Sequence, residues 1–253
     1  MATITKNSIN GGEFLVKETE AKDIFIFEEF TEEQKMMAQA CQDFIDTEIT
    51  PNIEEIDSMK NPEIIPNIFR KAGDLGLLGI AVPQDYGGMG MSFNTSMLMA
   101  DIIGSAGSFS TTYGAHTGIG TLPILYYGSE EQKQKYLPKL AIGEWIGAWG
   151  LTEANTGSDA LRMRTTAVLD GEEYVINGSK NWITHGKTGD VAVVMVRTGE
   201  TGSSKGISAI VVERGTPGFS AGKKENKLGM RASETTEMIF DNCRVPKENL
   251  LGV

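Results

Sequence analysis

The chain has 253 residues, 40% hydrophobic and 23% charged, a composition that supports one large or two medium domains with a sizeable core. Its formal charge of -11 excludes a basic nucleic-acid footprint, and its only cysteines, Cys41 and Cys243, are too far apart for a metal motif or a disulfide framework. No run reaches ~18 consecutive apolar residues, so no membrane span is expected. The acidic start, with Glu13, Glu18, Glu20, Asp23, Glu28 and Glu29, matches neither a secretory signal nor a transit peptide, which leaves a cytoplasmic protein as the expectation.

Residues 1–29 have no sustained period and are expected to be a leader. Thr31-x-x-Gln34 then has the form of a capping box. Behind it Met36, Met37, Ala40, Cys41, Phe44, Ile45 and Ile49 recur at helical spacing until Pro51 stops them. Ile64, Ile65, Ile68, Phe69, Ala72 and Leu75 make a second helical set, closed by Gly76. The turn Tyr86-Gly87-Gly88-Met89-Gly90 leads into a helix from Ser92 to Ile103, and it lacks the Gly-Lys-Ser/Thr pattern of a phosphate loop. Residues 115–127 are read as helical, and Ser129-x-x-Gln132 is a second capping box, opening a helix through Tyr136 and Leu137.

After Gly143 the pattern changes to short β-branched runs. Thr165 to Leu169, Tyr174 to Ile176 and Trp182 to Thr184 are separated by Asp170-Gly171 and Asn177-Gly178, pairs that suit type I′ hairpin turns because both central residues need positive φ. Val191 to Val196, Ile207 to Val212 and Met238 to Phe240 are further strands. The expected fold class is α+β: an all-α N-terminal domain over 30–146, then an antiparallel β-barrel or sandwich-like middle domain over 147–253.

The segment with most chemistry runs from Trp149 to Asp159. Gly150 and Gly157 let backbone approach a planar or phosphorylated ligand, Thr152 offers a hydroxyl, and Ser158 with Asp159 can turn N–H groups toward an anion. By themselves these residues equally describe a surface turn that satisfies its own backbone. Two further segments accompany it: Lys180-Asn181-Trp182-Ile183-Thr184, and Leu228-Gly229-Met230-Arg231-Ala232-Ser233 followed by Thr235 to Pro246.

In this order the three segments resemble the acyl-CoA dehydrogenase family. Thr152, Glu153, Gly157, Ser158 and Asp159 match the family's first signature; Ala154 stands where Pro is usual, Thr156 where a smaller residue is preferred, and Arg162 where a small residue is common. The resemblance implies FAD as cofactor, with Trp149, Leu151 and Thr152 lining the flavin and Gly157 and Ser158 against phosphate-bearing parts of FAD and acyl-CoA. It also implies that Trp182, Ile183 and Thr184 form a second flavin contact, with Trp182 flanking the ring and Thr184 close to N5. Donors there would stabilise the charge that builds when a flavin accepts a hydride. His185 stands where the family often has Asn and is given no role.

The implied reaction is α,β-dehydrogenation of an acyl-CoA to a trans-2-enoyl-CoA, with electrons passing to an electron-transfer flavoprotein and the complete protein forming a homo-oligomer, tetramer or dimer. The family's Glu base lies in a C-terminal helical bundle beyond the β-domain, so no catalytic residue is expected within 1–253, and the chain alone is expected to be inactive. An acyl-CoA oxidase, or a binding or assembly module of the same fold, are the rivals. Arg231 is as readily ion-paired as phosphate-binding, and Lys223, Lys224 and Lys227 read as a solvated face. Met89, Met91, Met97 and Met99 suit an acyl tunnel, although helix-packing core is the better reading.

Overall fold

In the computed structural model, which describes Ile9, residues 12–200 and residues 204–252, both capping boxes form. Thr31 N–H donates to Gln34 Oε1 (2.8 Å) and Gln34 N–H to Thr31 Oγ1 (3.2 Å), opening α1 (Glu32–Phe44). The described residues group into two units, Met1–Gln39 and Ala40–Val253. The first holds 3-10 turns at Glu13–Leu15, Ala21–Asp23 and Phe27–Glu29 and the start of α1; the second holds every other element.

Helical backbone runs on from α1 through a π turn, Ile45–Ile49, and stops in the short turn that contains Pro51. Cys41, Phe44, Ile45 and Ile49 are buried as their spacing requires, whereas Met36 is exposed. After α2 (Ile53–Ser58) comes α3 (Ile64–Asp74), whose Ile64, Ile65, Ile68, Phe69 and Ala72 form one buried face. Left-handed Gly76 ends it, and Leu75 turns outward. Then follow α4 (Phe93–Ile103), α5 (Phe109–Gly114), a π turn over Ala115–Gly120, α6 (Leu122–Tyr127) and α7 (Glu130–Ala141). The box that caps α7 has a second use. Gln132 Nε2 donates to the carbonyls of Glu248 (2.7 Å) and Leu250 (3.0 Å), fastening the helix to the far end of the sheet.

The remaining chain forms β1 (Gly147–Gly150), β2 (Thr166–Asp170), β3 (Glu173–Thr184), β4 (Val191–Arg197), β5 (Ile207–Glu213), β6 (Phe219–Ala221), β7 (Thr235–Pro246) and β8 (Leu250–Leu251). They make one sheet in the order β6-β7-β3-β2-β4-β5-β8, with β1 beside β4. The expected α+β division is present, and most pairs are antiparallel. The sheet is nonetheless mixed, because β1 runs parallel to β4 and a single parallel bridge joins Thr166 to Arg197.

Two turn signals act differently from expectation. Asp170 pairs with Glu173, so the hairpin loop is Gly171-Glu172 with only Gly171 at positive φ, the type II′ pattern rather than I′. Asn177-Gly178 is no turn at all: it is a bulge inside the continuous β3, where Gly178 (φ 139) lies so close to Thr165 that a Cβ would sit 2.6 Å from its hydroxyl.

Apolar side chains fill both faces of the sheet. Ala192, Val194 and Val196 of β4 face Ile176, Ile210, Phe240 and Val245, while Val191 and Val193 face Tyr136, Leu137 and Leu140 of α7. A strand buried on both sides reads as an unbroken apolar run, which is how Val191 to Val196 appears in the sequence.

His116 and two glycines join the helices to β1. Cβ atoms cannot fit where Gly120 meets Gly147: one on Gly120 would lie 2.6 Å from the Gly147 carbonyl carbon. His116, fully buried, has Nε2 3.0 Å from Leu140 O, and its Nδ1 accepts the Gly147 N–H at 3.0 Å. A carbonyl on one side and an N–H on the other fix the neutral tautomer with the proton on Nε2. Burial, helped by nearby His185, pushes the pKa of His116 down to about 3.

A His116→Phe variant keeps the packing against Phe69 but strands the buried Gly147 N–H, while Leu140 O retains the Gly143 N–H, and should lose about 1–3 kcal/mol in urea denaturation at pH 7. The unfolded chain takes up a proton near pH 6.5 that folded His116 refuses until about pH 3. Its contribution is therefore complete above pH 6.5 and drains away toward pH 3, and the variant's stability should fall less steeply over that window.

Candidate functional site

β1 delivers the 149–159 segment to the edge of β3. Leu151 O accepts from Lys180 Nζ (3.1 Å) and Thr152 O from the Asn181 N–H (2.7 Å), so the loop is registered against the strand one residue before Trp182. Glu153 then makes three attachments: Oε1 takes Lys180 Nζ (2.6 Å) and the Thr165 N–H (2.9 Å), and Oε2 takes the Arg164 N–H (2.6 Å). Lys180 is 0% and Glu153 8% exposed. Burial pushes the Glu153 carboxyl upward, but the Lys180 ammonium and the backbone donors outweigh it and hold the group below the ordinary carboxylate range.

Reciprocal hydrogen bonds at 3.1 Å between Glu153 and Thr156 close a tight turn, after which Gly157 and Ser158 lie exposed. Nothing lies within 4 Å of where a Cβ on Gly157 would be, and its φ is not positive. The protein's own packing gives no reason for glycine there; a ligand closing over that backbone would. The Thr152 hydroxyl has no partner among the described residues, and the buried Thr156 Oγ1 and Asn181 Oδ1 are also unpartnered. Trp149 is half-buried, one side against the apolar cluster of α7 and β4.

Trp182 is the most strained residue of the group. Between the pairs Lys180/Met238 and Ile183/Thr236 the β3 strand carries one extra residue, and in that bulge Trp182 adopts φ 63 and is 63% exposed. Left-handed backbone costs a non-glycine residue about 1–2 kcal/mol. On either side, Ile183 packs into the sheet core at 4% exposure, so it offers a ligand only its backbone. Thr184 Oγ1 lies 2.7 Å from Ser233 Oγ.

Other residues have different fates from those read in the sequence. His185 is buried, left-handed, packed on Phe69, with Nε2 3.1 Å from Thr112 O; burial lowers its pKa. Arg231 spends its guanidinium on Asp57 O, Asn226 Oδ1 and Lys227 O. Lys223 is exposed, but Lys227 is not part of a solvated face: its Nζ reaches Ser233 O (2.8 Å) and Thr235 Oγ1 (2.7 Å). Met91 and Met97 line an apolar cavity of about 330 Å³ with Ile80, Val82, Ile103 and Tyr113, whereas Met99 is core and Met89 packs against Gly76. Lys180, Asn181 and Ser233 had no assigned role in the sequence reading; the only hint was their place within or beside the three motifs.

Residues 31–144 match the description "Acyl-CoA dehydrogenase, N-terminal domain" and residues 148–243 match "Acyl-CoA dehydrogenase, middle domain". The chain belongs to the acyl-CoA dehydrogenase family. It is 46% identical over 244 residues to a probable acyl-CoA dehydrogenase of Bacillus subtilis (strain 168), covering 96% of this chain and 40% of that one. With the mitochondrial isovaleryl-CoA dehydrogenase of Pongo abelii the identity is 41%, over 88% of this chain and 53% of the relative. The fold matches that of an acyl-CoA dehydrogenase complexed with FAD from Bacillus anthracis, with a TM-score of 0.90, 43% identity, and coverage of 97% of this chain and 42% of that one. The chain thus spans about half the length of these acyl-CoA dehydrogenase relatives.

Removing only the cation of the buried pair, as in Lys180→Met, should cost roughly 3–5 kcal/mol because Glu153 is left charged and uncompensated. Adding Glu153→Gln should recover most of it. A double-mutant cycle by urea denaturation measures the coupling, and additive losses would mean that the pair is not the anchor of this loop.

Proposed function

We propose that this chain supplies the flavin- and thioester-facing surfaces of an FAD-dependent acyl-CoA dehydrogenase, which converts an acyl-CoA to the trans-2-enoyl-CoA. The observation that carries the reading is Trp182, a large aromatic held exposed on left-handed backbone beside the Thr152 loop. Strain kept where the fold gains little burial from it marks a ligand surface. Bound FAD would supply the hydride acceptor. Trp182 would flank its ring, Trp149, Leu151 and Thr152 would line the pyrimidine side, and Thr184 would lie at the N5 edge. The unpartnered Thr152 hydroxyl is a ready donor to the ring as negative charge builds on it. Gly157 and Ser158 would meet phosphate groups of FAD and the substrate, and the apolar cavity beside Met91 and Met97 would take the acyl chain.

Neither carboxylate of the loop is free to take the α-proton, since Glu153 is tied to Lys180 and Asp159 pairs with Arg162. The base is accordingly sought in a Glu other than these two, and turnover is assigned to the homo-oligomeric protein, with an electron-transfer flavoprotein as acceptor. A cytoplasmic setting fits two free, buried thiols and the lack, among the described residues, of a helix long and apolar enough to cross a membrane.

Titration of the chain with FAD, followed by absorption and tryptophan fluorescence, tests the reading. Trp182→Gly should weaken FAD binding at least tenfold, about 1.4 kcal/mol, while leaving the apo-protein as stable or more stable because the backbone strain is relieved. Unchanged affinity in that variant would remove the flavin assignment. Anaerobic acyl-CoA should leave the bound flavin oxidised in this chain alone; bleaching would mean that a base lies within it.

A further inference from the structure

We propose that Lys227 is a positioning residue for Thr184: its ammonium sets the direction of a buried hydroxyl chain, Thr235 to Ser233 to Thr184, that ends at the flavin surface. The inference rests on the reading above in which Thr184 faces the N5 edge of the ring.

The chain is continuous in space. Lys227 Nζ lies 2.7 Å from Thr235 Oγ1, Thr235 Oγ1 lies 3.4 Å from Ser233 Oγ, and Ser233 Oγ lies 2.7 Å from Thr184 Oγ1. Ser233 and Thr235 are 2% and 6% exposed, so bulk water does not compete for these hydroxyls. An ammonium only donates, and Thr235 Oγ1 therefore accepts from it and keeps a single proton. That proton has two acceptors, both on Ser233: the hydroxyl, and the carbonyl at 3.1 Å. Lys227 Nζ also donates to that carbonyl at 2.8 Å; the carbonyl has lone pairs for both donors, and the relay requires the Thr235 proton to turn from it to the Ser233 hydroxyl. Ser233 then gives its own proton to Thr184 Oγ1, and Thr184 keeps one O–H to present outward. Each bond polarises the next, so the positive end of the chain is carried to Thr184.

The cation itself calls for an explanation. Lys227 is half-buried, has no carboxylate partner among the described residues, and sits near Lys224 and Arg231 in a chain of net charge -11. Burial, then those two neighbours, lower its pKa. Fixing the entry to β7 needs only a neutral donor to Ser233 O. A charged donor placed behind three hydroxyls does more, because a ring that gains negative charge on accepting a hydride is favoured by an O–H dipole aimed at it.

The test is the midpoint potential of FAD bound to the full chain, measured by dye-equilibrated reduction, with thermal melting as a check on folding. Thr235→Val keeps the charge and cuts the chain. It should make the flavin about tenfold harder to reduce, a drop of about 30 mV for a two-electron couple. Lys227→Met should give a similar drop, and in a Ser233→Ala background Lys227→Met should cause no further change. A wild-type potential in Thr235→Val, or a Lys227→Met shift that persists undiminished with Ser233→Ala, would show that the charge acts through space or only structurally, and would overturn the relay. Those outcomes differ from failure of the flavin reading itself, in which wild-type protein binds no FAD or Trp182→Gly binds it normally.

Discussion

A neutral imidazole is the joint on which the site depends. His116 binds a helix-end carbonyl with one nitrogen and the first N–H of β1 with the other, across a contact so close that both facing residues must be glycine. Protonation would turn the accepting nitrogen into a donor pointed at another donor, so burial and tautomer enforce each other. From this joint the dependencies run in sequence. β1 sets where Trp149 and Thr152 emerge, Glu153 and Lys180 lock that loop to β3, and the β3 bulge presents Trp182 and Thr184.

Two lysines near the site illustrate opposite uses of buried charge. Lys180 is matched by Glu153, and the remaining carboxylate capacity is filled by backbone N–H groups, the arrangement that makes a buried ion pair tolerable. Lys227 meets only neutral oxygens. The first arrangement gives rigidity to a loop whose tip is glycine and serine; the second leaves an uncompensated field beside the hydroxyls of Ser233, Thr235 and Thr184.

Much of the architecture was legible because local signals agreed with one another. Both capping boxes formed, Pro51 and Gly76 ended helices where expected, and the change at Gly143 from helical to alternating pattern marked where strands begin. Asn177-Gly178 misled because the residues that permit a type I′ turn also permit a bulge, and only the partner strand decides between them. The parallel pairing of β1 with β4 had no local signature, since it joins segments some forty residues apart. In the site, motif resemblance pointed to Trp182 and Thr184 but said nothing of Lys180 or Ser233. Lysine in a strand ordinarily faces solvent, and its complete burial followed from a loop folding over it. Ile183 was grouped with its neighbours by motif although the alternation of the strand sends its side chain into the core.

The two cysteines give the molecule a built-in record of its own opening. Cys41 lies in the helical layer and Cys243 in the sheet core, both fully covered, and burial pushes each thiol to about 11. Thiolates are the reactive form, so an alkylating reagent at neutral pH meets almost nothing to attack until local structure opens. Whichever thiol is modified first during a labelling pulse identifies the layer that opens first, and simultaneous modification of both would mean that the helical layer and the sheet separate and unfold as one cooperative body.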